Sequence, residues 1–117
     1  MHKVKELKVW QKGMEIAKDL YKITENFPQE EKYGLTSQMK RTAVSIPSNI
    51  AEGAGRRGKL EFRNFLNYSN GSSYELDTQL LLAVEFGFAH EELANKLFSK
   101  IDELQKMNYA LINKLGQ

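Results

Sequence analysis

Apolar side chains recur at three- and four-residue spacing along four stretches of this 117-residue sequence, a pattern typical of amphipathic α-helices. The alternation of apolar and polar residues that marks a β-strand is absent. The four stretches cover residues 8–27, 29–52, 59–86 and 90–115. Pro28, the glycine-rich segment 53–58 and Gly87 separate them. Because short connections force neighbouring helices into opposite directions, we predict an all-α, antiparallel up-down-up-down four-helix bundle.

The first stretch carries two apolar stripes side by side. Trp10, Met14, Ala17, Tyr21 and Thr24 form one stripe, and Val9, Ile16, Ile23 and Phe27 form the other. Together they make a band wider than a two-helix contact requires, which indicates a subunit interface. Pro28 ends this helix, because proline lacks an N–H and restricts the residue before it.

The second stretch contains two features that disturb a helix. Gly34 weakens its start, so the regular helix is expected near Leu35. Pro47 lies inside it and removes one backbone hydrogen bond, which predicts a kink at Pro47, with a full break into two helices as the alternative. Ser45 or Ser48 is expected to bond nearby backbone groups.

The third stretch has small residues at 69–73, which would let another helix approach closely. Gly87 and Phe88 are typical of a C-terminal glycine and its hydrophobic follower. The fourth stretch carries a heptad-like apolar stripe. Its members are Leu93, Leu97, Ile101, Leu104, Asn108, Leu111 and Leu115.

Composition excludes several classes of protein. The chain has no cysteine and two histidines, so no disulfide framework, thiolate metal site or histidine cluster is expected. The longest apolar run, residues 80–84, is far shorter than the roughly 20 residues of a membrane span. We therefore expect a cytoplasmic protein without a membrane partner. Residues 1–7 are predicted to form an N-terminal arm, and residues 8–117 a single domain.

Positive charge is concentrated in the middle of the chain. Residues 40–63 carry a net charge of +4, against +1 for residues 1–39 and −3 for residues 64–117. The basic residues of this block are Lys40, Arg41, Arg56, Arg57, Lys59 and Arg63. Such a block is typical of a surface that contacts nucleic acid. The alternative is an ordinary solvated surface that faces the acidic half of the same or a neighbouring chain.

No catalytic constellation is recognisable, so no enzyme, cofactor or metal is predicted. Asn49 and Glu52 are interpreted as a buried polar pair that fixes helix register, with an active-site pair as the alternative. Glu75 is expected to form an interhelical salt bridge or hydrogen bond, and His90 to start a helix. The glycines of segment 53–58 favour positive φ and offer a weak phosphate site.

Aromatic residues lie beside the basic block. Phe62, Phe65 and Tyr68 are positioned to stack on bases or to pack in a core or subunit interface.

The stretch 35–53, LTSQMKRTAVSIPSNIAEG, resembles the four-helix-bundle family of the protein encoded in intervening sequences of bacterial 23S ribosomal RNA genes. Further matching motifs are Leu7-x-Val9-Trp10, Phe27-Pro28, Tyr33-Gly34-Leu35 and Gly71-Ser72-Ser73-x-Glu75-Leu76. Gly13 stands where the family pattern has alanine, a change that would loosen the first helix.

This resemblance implies an up-down bundle that assembles as a homopentamer. The family includes the accessory variability protein of diversity-generating retroelements, which resembles a basic pentamer that binds nucleic acid and a reverse transcriptase. The resemblance implies contact residues at Lys40, Arg41 and Arg56; Arg57, Lys59 and Arg63 extend the site by charge alone. Our leading hypothesis is a non-enzymatic homo-oligomer that binds RNA or DNA. The alternative is a protein-interaction scaffold or accessory subunit without direct nucleic-acid contact.

Overall fold

Each of the four apolar stretches forms one α-helix in the structure, a computed structural model that describes residues 3–116. The helices are α1 (Lys8–Thr24), α2 (Leu35–Ala54), α3 (Lys59–Glu85) and α4 (Glu91–Leu115). Single 3₁₀ turns lie at Val4–Glu6 and Gln29–Glu31. The predicted all-α four-helix bundle is confirmed.

The helices form a ring around one core. Each packs on its neighbour in the chain, and α4 returns to pack on α1. Between α2 and α3, the Ser69 hydroxyl donates a hydrogen bond to the Ile46 carbonyl, and Gly53 lies against Phe62. Late residues of α2 therefore meet early residues of α3. The resulting body measures 45 × 23 × 20 Å.

The apolar core of α1 comes from one of its two predicted stripes and from Leu20, which belongs to neither. Val9, Ile16 and Ile23 are buried, whereas the stripe that begins at Trp10 is half-buried to exposed until its last member, Thr24, which is buried. Buried apolar side chains of the other elements complete the core. They are Phe27, Met39, Ala43, Ile46, Ile50, Ala54, Phe62, Leu66, Leu76, Leu80, Ala83, Ala89, Ala94, Leu97, Ile101, Leu104 and Ile112.

The heptad-like stripe of α4 departs from the core at its ends. Leu97, Ile101 and Leu104 are buried as expected, but Leu93 is 47% exposed, and Ala94 is buried instead. At 3.6 residues per turn, each step of four residues overshoots a full turn by about 40°. Leu93, Leu97 and Ile101 are separated by two such steps, so Leu93 lies about 80° around the helix from Ile101, whereas Ala94 lies about 20° from it.

The segment between α1 and α2 is less helical than predicted. Helix α1 ends at Thr24, since Pro28 excludes a helical conformation at the residue before it. The chain then makes the 3₁₀ turn Gln29–Glu31 and enters α2 at Leu35, the later of the two starts considered. The Leu35 N–H donates to the Glu31 carboxylate (3.2 Å), which satisfies one free amide of the first turn.

Helix α2 continues through Pro47, so the alternative of a full break into two helices is excluded. The kink at Pro47 stays a prediction. Ser45 donates to the Thr42 carbonyl (2.6 Å), as expected for a serine near an interrupted ladder. A Cβ on Gly13 of α1 would lie 3.3 Å from the Pro47 Cα. Glycine at position 13 therefore permits a close approach of α1 to Pro47.

The glycine-rich segment does not adopt the expected positive φ. Gly53 lies inside α2, Gly55 caps it with helical angles, and Gly58 is extended. Among the described residues only Gly87 has positive φ (79°). There the Phe88 N–H bonds the Ala83 carbonyl (2.8 Å) and the Gly87 N–H bonds the Val84 carbonyl (3.0 Å), which is the Schellman arrangement predicted for this end.

The first described residues lie on the bundle. Val4 and Leu7 pack on the edge of the core, and the Gln11 side chain donates to the Lys5 carbonyl (2.8 Å). Met1, His2 and Gln117, which belong to the predicted arm and domain end, lie outside the described residues.

Buried polar side chains join α3 to α4. Asn108 donates to the Asn70 side chain (3.3 Å), and Gln105 donates to the Ser73 hydroxyl (3.1 Å) and to Asp77 (3.0 Å). We call Asn70, Ser73, Gln105 and Asn108 the amide seam; all four are buried.

The predicted buried pair of Asn49 and Glu52 is wrong. Glu52 is exposed, and Asn49 donates to the Ser45 carbonyl of its own helix (2.8 Å). The buried polar contacts belong instead to the amide seam of α3 and α4.

Candidate nucleic-acid interface

The six basic residues predicted to contact nucleic acid divide between the two ends of α2. Lys40 and Arg41 lie in its first turns, whereas Arg56, Arg57, Lys59 and Arg63 follow its end. Arg41 and Ala54 are separated by 13 residues of helix, or about 20 Å at 1.5 Å per residue. The single basic block of the sequence is therefore two separate clusters.

The first cluster surrounds a surface hollow of about 520 Å³. We define the α2-start cluster as Tyr21, Lys32, Tyr33, Lys40 and Arg41, which line this hollow with Ser37 and Val44. Its lining includes three cations and no carboxylate. No ion pair involves these cations among residues 3–116. The positive charge of the hollow is therefore not neutralised within the described chain.

Aromatic rings hold two of these cations. The Lys40 ammonium lies 4.9 Å from the centre of the Tyr21 ring, and the Lys32 ammonium lies 5.4 Å from the centre of the Tyr33 ring. Such contacts position a cation without neutralising it. Glu31, the nearest acidic neighbour in sequence, is engaged with the start of α2.

The second cluster, which we call the turn cluster, comprises Arg56, Arg57, Lys59 and Arg63 at the α2–α3 turn. Arg57 and Lys59 are exposed and form no ion pair within the described chain. Arg56 lies 5.0 Å from the Phe65 ring and 3.9 Å from the Glu61 carboxylate. That ion pair is long and exposed, so it restrains Arg56 weakly.

Arg63 differs from the rest of the turn cluster because it is half-buried. A Cβ on Gly116 would lie 3.5 Å from its guanidinium carbon, so Arg63 packs at the C-terminal end of α4. A cation there interacts favourably with the negative end of the helix dipole. Of the six predicted residues, Arg63 is thus the least available to a phosphate.

The aromatic residues beside the turn cluster have separate roles. Phe62 is 1% exposed and belongs to the core. Phe65 is half-buried and meets Tyr68 edge-on at 5.5 Å, and Tyr68 is 59% exposed. Only Tyr68 of the three predicted aromatics offers a largely accessible ring.

Sequence reasoning missed Lys32, Tyr21 and Tyr33. Lys32 lies outside the block defined by charge, and the turn between α1 and α2 brings it to Lys40. One signal was available: Lys32 and Tyr33 follow Pro28 in a segment without apolar periodicity, where a large aromatic residue has no evident core to enter.

A second surface hollow, also of about 520 Å³, lies between α2 and α3 and is lined mainly by polar side chains. Arg41 and Glu75 both line it, but no ion pair or hydrogen bond of Glu75 occurs in the described part of the chain. The interhelical bond predicted for Glu75 is therefore not formed. The side-chain amide oxygen (Oε1) of Gln79, which also lines this hollow, is buried and accepts no hydrogen bond within the described chain.

Other sites were sought across residues 3–116. No group of three or more His, Asp or Glu side chains is arranged to hold a metal ion there. His90 precedes the first residue of α4, as predicted, without a capping hydrogen bond from its side chain. Within the same range, no helix has the length and apolar character needed to cross a membrane.

The sequence matches the family model described as the 23S rRNA-intervening sequence protein over residues 5–110. The chain belongs to this family. A search of curated proteins finds no match.

Among solved structures, the chain is similar to a protein of unknown function from the S23 ribosomal protein family of Bacteroides thetaiotaomicron. The two are 23% identical with a TM-score of 0.82, over 90% of this chain and 95% of the other. At this identity the likeness shows the fold alone.

Proposed function

We propose that this intervening-sequence family member is a non-enzymatic homo-oligomer that binds RNA or DNA through its two basic clusters. The observation that carries the proposal is the set of exposed cations without carboxylate partners. Elsewhere in the described chain, Lys12 and Lys100 are paired with carboxylates between α1 and α4, and Lys106 is paired with Asp102. The cations at both ends of α2 are largely free for phosphate groups.

Phosphate contact would supply most of the affinity. Each neutralised phosphate releases condensed counterions, so binding weakens steeply as salt rises. Assembly multiplies this effect: five copies, as the family resemblance implies, would convert the +4 of residues 40–63 into about +20.

The turn cluster provides the sharpest test, because Arg57 and Lys59 have no structural partner to lose. We expect the double variant R57A/K59A to bind labelled RNA and DNA more weakly than the parent, whatever their sequence. The slope of log affinity against log salt should become shallower by about one per lost phosphate contact. Fluorescence anisotropy across a salt series measures both quantities.

A matched control removes two positive charges elsewhere. Lys96 and Lys106 are exposed on α4 and belong to neither cluster; Lys106 pairs with Asp102 (3.1 Å), an exposed ion pair that contributes little to stability. K96A/K106A should retain more affinity than R57A/K59A at every salt concentration. Equal losses in the two variants would mean that only net charge matters, and unchanged affinity in R57A/K59A would refute the proposed site.

The proposal of self-assembly depends on the outward face of α3. Residues 64–74 include no charged side chain, and exposed Tyr68, Tyr74, Leu81 and Phe86 follow one another along this helix. A hydrogen bond with Tyr109 raises the pKa of Tyr74. Gly71 has open space around it, so a second copy could approach the backbone there.

Light scattering tests the assembly. Leu81 on α3 and Leu93 on α4 are about equally exposed, at 51% and 47%. We expect L81E to lower the solution mass toward that of one chain, and L93E to leave it unchanged. A parent mass of 13.5 kDa would refute self-assembly.

The same apolar face supports the second candidate, a scaffold that binds another protein and no nucleic acid. It would gain support if R57A/K59A and the parent both failed to bind nucleic acid at low salt while L81E abolished capture of a copurifying protein.

A further inference from the structure

Tyr33 is unusually exposed for a large aromatic residue. Its side chain is 88% accessible, the highest value among the exposed large apolar residues of the described chain. It lies just before Gly34, between the 3₁₀ turn and α2, and does not contribute to the core. Among residues 3–116, its ring meets the Lys32 ammonium, 5.4 Å from the ring centre.

The surroundings of Tyr33 combine ring faces with positive charge. Tyr21, 45% exposed, lines the same hollow of about 520 Å³, and Lys40 lies over its ring. The volume is within the range of pockets that hold small organic ligands. Arg41 adds a planar donor group suited to phosphate.

The chemistry of this hollow distinguishes two forms of nucleic acid. In a duplex the base faces are stacked on one another and unavailable to a protein ring. In a single strand the bases can turn outward and stack on tyrosine, while lysine and arginine contact the backbone. The turn cluster, by contrast, offers charge and a single accessible ring, that of Tyr68, since Phe62 is buried and Arg56 covers Phe65.

We infer that the α2-start cluster binds single-stranded nucleic acid by stacking an unpaired base on Tyr33, with Lys32, Lys40 and Arg41 on the adjoining phosphates. This inference rests on the proposed nucleic-acid function and adds its substrate class. The turn cluster contacts the backbone of either form, so preference for a single strand comes from the α2-start cluster.

The test compares Y33A with Y33F on two labelled probes: an unstructured oligouridylate and a blunt-ended RNA duplex of equal length, which has no unpaired loop. Y33A should bind the oligouridylate about 5- to 150-fold more weakly, the range of one lost stacking contact. The duplex affinity should change by less than about twofold, because its bases are already stacked. Y33F keeps the ring and should match the parent on both probes.

The possible results separate this inference from the proposed function. If R57A/K59A weakens binding of both probes but Y33A alters neither, the function stands and the stacking inference is refuted. Equal losses on both probes in Y33A would also refute stacking. A lower solution mass of Y33A by light scattering would make Tyr33 a subunit contact and overturn the inference. Failure of the parent to bind either probe would refute both.

Discussion

At the scale of single residues, side chains of the same type differ in burial and in their bonding partners, and these differences determine what each can do. Arg57 and Arg63 carry the same charge six positions apart, yet one is exposed at a turn and the other packs on the end of α4. Asp77 likewise differs from the exposed carboxylates, because it is half-buried beside the amide seam and accepts a hydrogen bond from Gln105.

Asp77 should make stability depend on pH in an unusual direction. Burial raises the pKa of Asp77 above its ordinary value of 3.8, against the opposing hydrogen bond from Gln105. Between the ordinary and the raised pKa, the folded state holds more protons than the unfolded state. This residue therefore lowers the free energy of unfolding as pH rises through that window.

The isosteric variant D77N removes that titration and keeps an oxygen to accept from Gln105. The free energy of unfolding of D77N minus that of the parent should be larger at pH 7 than at pH 3.5. Denaturant unfolding of both proteins at both pH values measures this difference. E25Q, which removes an exposed carboxylate without an ion pair in the described chain, provides the control. Parallel pH profiles for D77N and the parent would contradict the expectation.

At the scale of helices, Gly53 in the last turn of α2 and Gly71 in the interior of α3 have opposite surroundings. A Cβ at Gly53 would lie 2.6 Å from the Phe65 Cβ and 3.0 Å from the Phe62 ring, so this glycine permits the tight crossing of α2 and α3. A Cβ at Gly71 would meet nothing within 4 Å.

Alanine at these two positions should therefore change stability in opposite directions. G71A should stabilise the protein by about 0.5–1 kcal/mol through helix propensity. G53A gains the same propensity but must displace two phenylalanines, and we expect a net loss of about 1–3 kcal/mol. Thermal or denaturant unfolding measures both; stabilisation by G53A would show that the crossing can relax.

Helix α4 is bound to its neighbours through more polar contacts than the others. It meets α3 at the amide seam and α1 at ion pairs such as Lys100–Asp19, while α2 and α3 pack most extensively. Asp19 also raises the pKa of Lys100. Water can replace amide and ionic partners when the helix separates, so opening there costs less than exposing a wholly apolar contact.

Native-state hydrogen exchange should detect this difference. We expect backbone amides of α4 to exchange through local opening at a lower free energy than those of α2 and α3. Substitution of Asn108 by leucine, which keeps the branch at Cγ but is larger and apolar, leaves Asn70 without its partner and should increase the difference. Uniform protection across the four helices would contradict the expectation.

At the scale of the whole molecule, helical periodicity was enough to predict four helices and one core. The predicted helix ends were wrong where a single residue outweighed the periodic pattern. Helix α1 ends before Pro28, earlier than predicted. Helix α2 continues through Gly53, where close packing rather than positive φ explains the glycine. The amide seam was missed because its members belong to two helices far apart in sequence, and periodicity contains no information about which polar groups meet.

The candidate site was predictable only in part for the same reason. The charge of residues 40–63 identified Lys40 and Arg57 as candidate contacts but predicted a single surface. The two residues lie on separate surfaces because most of helix α2 lies between them. Lys32 and Tyr33 were excluded from the block, although the turn after α1 returns them to Lys40. Contact between residues on the two sides of a turn depends on the fold and cannot be read from composition.

The length of α2 also sets a minimum footprint for a ligand. The two clusters are at least about 20 Å apart, which is about six base steps at 3.4 Å per step of one stacked strand. A stacked strand or duplex shorter than this can occupy one cluster of a copy but not both, whereas an unstacked strand covers the same distance with fewer nucleotides. Affinity measured against oligonucleotide length should therefore rise abruptly near that size, whereas a smooth increase would mean that the clusters bind independently.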